Sequence, residues 1–218
     1  MKTQSKIFIL LSSIPFIRLA GCAANKQYLF NGKDFTGWKL FIPDKNIDPN
    51  TVWMVANSTI HCAGQPVGYL RTKKEFSNYK LHLEWRWPKN PTNSGVLLHA
   101  TGPDLLWPTS VEAQLQTGNA GDIYLIGQGV SLTVDGKKYI VQQDPPFLGI
   151  PKKQPSSENP PGQWNTYDII CKNENIELYV NSVLQNKGTN ASLTSGSICL
   201  QSEGSPIEFR NIYIERLD

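Results

Sequence analysis

The chain is written almost throughout in the two-residue period of β-strands. Runs such as TVWMV, STIHC, YKLHLEWRW, NSGVLLHA, SVEAQLQ, DIYLIG, VSLTV, YDIIC, IELYV and EFRNIYIERL follow one another, separated by turn residues. No stretch sustains a helical period. A chain of many short strands can bury its apolar faces only by stacking two sheets or closing one, so a β-sandwich or barrel is expected. Asp135-Gly136 and Asn173-Glu174-Asn175 read as hairpin connections. The length suits one all-β domain, and no internal repeat recurs at a fixed period.

One segment breaks this pattern. Asp144–Gly162 (DPPFLGIPKKQPSSENPPG) holds six of the fifteen prolines and is expected to be a long loop rather than an element. Such a loop either borders a site or is a tolerated insertion.

Three runs separate two chemistries by parity. In Leu81–Trp87, Glu84 and Arg86 share a face. In Ser110–Gln116, Glu112, Gln114 and Gln116 oppose Val111, Ala113 and Leu115, and in Ser197–Gly204, Gln201 and Glu203 oppose Ile198 and Leu200. An ordinary solvent face favours Lys, Thr and Ser. Carboxylates, amides and an arginine are the groups that hydrogen-bond to a polyol, so these faces, if they meet on one sheet, make a carbohydrate cleft.

The N-terminus reads as a separate unit. Lys2 and Lys6 precede a mostly apolar stretch, Ile7–Ala20, shorter than the ~20 residues a spanning helix needs. Leu19-Ala20-Gly21-Cys22 then matches a bacterial lipobox. Residues 1–21 are expected to be a cleaved lipoprotein signal, 22–27 a short tether, and 28–218 a single domain held at the cell envelope membrane through a lipid on Cys22. A plain secretory signal is the alternative. Of 21 basic residues, Lys2, Lys6 and Arg18 leave with the signal, matching the 18 acidic ones. A neutral chain has no basic stripe to hold a phosphate backbone, so nucleic acid is not expected as a partner. Cys62, Cys171 and Cys199 remain, an odd number with no C-x-x-C, against zinc and against a disulfide framework. Cys171 and Cys199 either sit as small buried hydrophobes or pair in an oxidising compartment. No cofactor is implied; a divalent metal is left open.

Motifs in order along the chain, LFNGKDFTGW (Leu29–Trp38), GYLRTKKEFSNYKLHLEWRWP (Gly68–Pro88), NSGVLLH (Asn93–His99), VEAQLQ (Val111–Gln116), WNTYDIICKNENIELYVN (Trp164–Asn181) and LQSEGSPIEFRNIYI (Leu200–Ile214), resemble the DUF1080 family, the 3-keto-disaccharide hydrolase domain. The resemblance spans Tyr28 to Leu217. It implies a concanavalin A-like jelly roll of two antiparallel sheets, a cleft on the concave sheet, and cleavage of glycosides oxidised at sugar C3.

The residues can be weighed beside that resemblance. Retaining β-glucanases of the same broad fold carry E-x-D-x-x-E on one strand, where this chain has Glu112, Gln114 and Thr117. One carboxylate on that strand falls short of the pair a retaining glycosidase needs, unless Glu203 or Glu84 supplies the second. A 3-keto sugar asks for less, because its ketone acidifies the C2–H: a base, a donor for the enolate oxygen and an acid for the leaving group suffice. Glu112 is the first candidate for base or acid, with a solvated face as the alternative. Arg86 is a candidate for enolate stabilisation or an ion pair with Glu84 or Glu112, and Glu203 stands at a tight turn suited to a cleft rim. His99 shares parity with Asn93 and is a candidate acid–base. Glu84, Asn93, Gln114, Gln116, Gln201 and Asn165 are candidate sugar-binding groups, Asn165 having a turn role as its alternative. Trp107, in a loop before the Glu112 strand, offers an indole for stacking on a sugar. A non-catalytic carbohydrate-binding protein is the alternative to an enzyme.

Overall fold

A computed structural model describes residues 26–217; the expected signal, Cys22 and most of the tether lie outside the described residues. The strands in chain order are β1 (Lys26–Tyr28), β2 (Trp38–Phe41), β3 (Trp53–Ala56), β4 (Thr59–Cys62), β5 (Gly68–Thr72) and β6 (Tyr79–Arg86). They continue with β7 (Gly95–Thr101), β8 (Thr109–Gln114), β9 (Ile123–Ile126), β10 (Ser131–Val134), β11 (Lys137–Ile140) and β12 (Phe147–Ile150). The chain ends with β13 (Asn165–Lys172), β14 (Asn175–Val180), β15 (Val183–Gly188), β16 (Ser197–Ser202) and β17 (Ile207–Arg216). The only described helix is one 3-10 turn at Pro49–Thr51.

Two antiparallel sheets stack as a jelly-roll sandwich. One has the order β15-β14-β13-β6-β17-β4-β3 with β1 added on β17, and the other β12-β9-β8-β7-β16-β5-β2. Between them lies the core. Tyr79, Leu81, Leu83 and Trp85 of β6 and Tyr167, Ile169 and Cys171 of β13 meet Val96, Leu98, Val111, Ala113 and Leu200 from the opposite sheet. Fully burying a side chain of this size stabilises by about 1.5–3 kcal/mol, which is why the period-two pattern decides the fold. Trp38 and Trp53 are buried in this core.

The sheets differ on their outer faces. Along β6 buried and half-buried residues alternate strictly, so its polar side meets solvent. In β7, β8 and β16 nearly every residue is buried on both sides. There a second, smaller apolar cluster of Tyr69, Leu97, Ala100, Ile126 and Cys199 covers the outer face of the seven-stranded sheet. Polar residues on that face are therefore shielded, and it is the face that holds a cleft.

Asp135-Gly136 is the expected hairpin: Val134 pairs with Lys137, and both turn residues have positive φ (49° and 75°). Asn173 turns β13 into β14 in the same left-handed region. Asp144–Gly162 is corrected in part. It contains β12, which pairs with β9 at the edge of the seven-stranded sheet. An edge strand tolerates flanking prolines because one side of its backbone goes unpaired, and that disguised it as loop. Cys62, Cys171 and Cys199 are free and buried, with Cys171 facing the core and Cys199 on the outer face of the other sheet.

Candidate active site

A cleft of about 330 Å³ opens on the outer face of the seven-stranded sheet. Strand register assembles it. Glu112 pairs with Leu97 on one side and Tyr124 on the other, and Gln114 pairs with Gly95. Gln201 falls on the same face from β16, since Leu200 pairs with Val96. Glu203 and Asn93 reach in from the turns beyond β16 and before β7, and both line the cleft together with Gln116.

Glu112 is only 5% exposed. Burial pushes its carboxyl up to about 8, and the facing charge of Glu203 adds to the rise. Burial also pushes Glu203 up to about 7, partly offset by a hydrogen bond from Asn93. Two carboxyls displaced toward neutrality within one cleft are the pattern of an acid–base pair. Gln114 is locked by its own backbone: its Oε1 accepts from Leu115 N at 2.8 Å and Gln116 N at 2.9 Å. That fixes the amide orientation and leaves the Nε2 hydrogens as donors. Oε1 of both Glu112 and Gln201 is buried without a partner. A proton on Glu112, or rotation of the Gln201 amide, would put a donor in place of one of these two acceptors.

Several expected site residues are elsewhere. Glu84 and Arg86 lie on the outer face of the eight-stranded sheet, the far side of the sandwich. Glu84 Oε2 accepts from Arg210 Nε at 2.7 Å, and Arg86 pairs with Glu208. Both arginines stack on Trp164, with guanidinium-to-ring distances of 4.6 Å for Arg86 and 3.9 Å for Arg210. Parity identifies a face, not the sheet that owns it. Asn165 opens β13 on that same sheet, and its Oδ1 accepts from Asn159 N (2.6 Å) and Asn181 Nδ2 (2.8 Å); it ties turns together. His99 sits in a bulge, where pairing shifts between Leu98 and Thr101 and its φ is 53°. The extra residue turns the imidazole into the interior, edge-on to Tyr79, with Nδ1 against Leu193 O at 3.0 Å. Burial lowers its pKa there. It does not reach the cleft.

Trp107 does line the cleft, as expected, and three further lining residues were missed: Tyr124, Ile126 and Phe147. The first two carried a signal, since in DIYLIG they share the parity opposite to the core residues Ile123 and Leu125. Phe147 was hidden in the proline-rich segment. Among the described residues, no Lys, Arg or His lines the cleft. Among the described residues, no group of three His, Cys, Asp or Glu is placed to hold a metal ion.

Comparison with known proteins matches residues 25–215 to the 3-keto-alpha-glucoside-1,2-lyase-like domain. Among solved structures, two candidate glycosyl hydrolases from Parabacteroides distasonis ATCC 8503 are similar. One is 26% identical with a TM-score of 0.60, covering 88% of this chain and 94% of its own. The other is 20% identical with a TM-score of 0.63, covering 88% and 99%. The Bacillus licheniformis beta-glucanase shares the fold at 12% identity, TM-score 0.53, covering 88% of this chain and 97% of its own. A comparison with curated protein sequences found no match.

Proposed function

The chain belongs to the 3-keto-alpha-glucoside-1,2-lyase-like domain family, and on that premise we propose that it cleaves glycosides oxidised at C3, using Glu112 and Glu203 as an acid–base pair. The observation that carries this reading is the displacement of both carboxyls into the neutral range inside one cleft. Glu203, the more acidic of the two, takes the proton from C2 as a carboxylate. The C2–H electron pair forms the enolate with the C3 carbonyl. Collapse of the enolate restores the ketone, forms C1=C2 and breaks the C1–O bond. Glu112 hands its proton to the departing oxygen, and addition of water across C1=C2 completes net hydrolysis. With Arg86 on the far sheet, the enolate oxygen falls to the fixed amide donors of Gln114, which need no reorganisation as charge develops.

The test is direct. The purified domain is incubated with a glucoside and with its 3-keto derivative, and release of the aglycone is followed. Release from the oxidised substrate alone supports the proposal. Tight binding of both without turnover of either favours the reading as a carbohydrate-binding module. The lipobox-like Leu19–Cys22 supports placing the domain at a bacterial envelope membrane by a lipid on Cys22.

A further inference from the structure

The cleft changes character along its length. At the end nearest Gly95 its walls are polar: Asn93, Gln114, Gln116 and Glu203. At the other end register sets Ser110 beside Ile126 and Ile126 beside Phe147, and Trp107 stands just before β8 begins. Glu112 and Tyr124, paired directly, mark the boundary. Trp107 is 37% and Phe147 43% exposed, so neither ring is explained by core packing. Among the lining side chains of this half, only the Tyr124 hydroxyl and the Trp107 indole N–H can hydrogen-bond. A second pyranose ring would bring several hydroxyls to those two groups, whereas a flat apolar ring needs none.

The Trp107 wall is held in place. Its loop, 102–108, is pinned across the sheet by Asp104, whose Oδ1 accepts from Tyr69 Oη at 3.2 Å and Arg71 at 3.1 Å, while Lys39 closes an ion pair. Tyr69 Oη shares its one hydrogen between Asp104 and Leu105 O, the latter at 3.1 Å, and Arg71 donates to the carbonyls of Gly102 and Ala100, each at 3.2 Å. Burial raises the Asp104 carboxyl, yet the Lys39 and Arg71 hydrogen bonds outweigh it and hold the group below its usual range. The clamp therefore stays charged.

We propose that this half of the cleft is a leaving-group subsite for a planar, apolar aglycone such as a phenolic ring, stacked against Trp107 and Phe147, and that Asp104 is a positioning residue for the Trp107 wall. The proposal rests on Glu112 and Glu203 being the reacting pair, which orients the sugar toward the polar end and the aglycone toward the aromatic end.

Binding and turnover separate the two claims. Phenyl, methyl and glucosyl 3-keto-glucosides are titrated against Glu203→Gln, which lacks the base for every leaving group, so that affinity is read without cleavage. The phenyl compound should bind about tenfold tighter than the other two, the size of an aromatic pairing advantage. Trp107→Ala or Phe147→Ala, placed in the Glu203→Gln background, should remove most of that ratio and leave methyl affinity unchanged. Asp104→Asn should lower the ratio in the same way, whereas a merely structural role would weaken all three ligands together. Equal affinity for phenyl and glucosyl compounds, a ratio that survives both aromatic substitutions, or no binding at all overturns the subsite. Turnover by the unsubstituted protein is read separately: if it cleaves none of the three, the acid–base reading fails whatever the affinities show.

Discussion

Glu112 and Gln201 meet over a glycine. A Cβ at Gly95 would stand 2.1 Å from Glu112 Oε1 and 2.2 Å from Gln201 Oε1, so the side chains from β8 and β16 occupy the space that any other residue on β7 would fill. The glycine keeps an ordinary strand conformation. It is needed for room, not for backbone freedom.

Gly95→Ala should consequently fold and fail to react. The clashing atoms are side-chain ends, so the sandwich can accommodate a methyl by displacing them. A displacement of about 1 Å at a reacting group can cost 10²-fold in rate. We expect a melting temperature within a few degrees of the unsubstituted protein and kcat/KM down by about 10², measured by thermal denaturation and steady-state kinetics. Full activity in this variant would show that Glu112 need not sit over residue 95.

The sandwich was legible because period-two alternation is its direct cause. The glycine's role was not, because it arises from two strands remote in sequence. The same limit explains the errors at Glu84 and Arg86. Alternation on β6 and on β8 looks identical in one dimension, and only topology sends one polar face to solvent and the other into the cleft. His99 failed for a different reason: one bulged residue reverses the parity of everything counted through it. Glu112, Gln114, Gln116 and Glu203 line one cleft because they cluster on runs that join the same sheet.

The Glu84 and Arg86 placement has its own consequence. Their ion pairs with Arg210 and Glu208 lie partly exposed on the far sheet, where such pairs stabilise by about 0.2–1 kcal/mol. Glu84→Gln and Arg86→Gln should lower the melting temperature slightly and leave turnover within about twofold. A loss of two orders of magnitude in either variant would restore them to the chemistry.

Cys22 carries the localisation proposal. Cys22→Ser removes the only thiol in the lipobox-like Leu19–Cys22 segment. In a bacterial host the variant should lose incorporation of labelled fatty acid and leave the membrane fraction. Unchanged labelling refutes lipidation at this residue.

The two carboxyls should be separable by leaving group. Glu112→Gln keeps the shape of the side chain while removing the proton that the departing oxygen needs. Its cost should be large, about 10²–10⁴-fold, for an alkyl or sugar leaving group and much smaller for a nitrophenolate, which departs without protonation. On the proposed roles, Glu203→Gln removes the base that starts the reaction, so its cost should be similar for every leaving group. Identical leaving-group profiles in the two variants would mean that the assigned roles are wrong.

The pH dependence follows from the same pair. Glu203 must be ionised, so kcat/KM should rise through about 7, and Glu112 must hold its proton, so it should fall again through about 8. Stability runs differently. Both groups bind their protons more tightly folded than unfolded, the usual glutamic value being 4.5. Between that value and about 8 the native state carries the excess protons, so their contribution to stability is complete below the range and is lost as pH rises through it. Glu112→Gln removes the larger share, because glutamine stays neutral throughout. The variant should melt near the unsubstituted protein at about pH 5 and above it at about pH 9, the gap opening as Glu112 is forced to ionise in its buried position. Thermal denaturation across that range checks it, and a gap that does not change with pH would show that the Glu112 carboxyl is not raised.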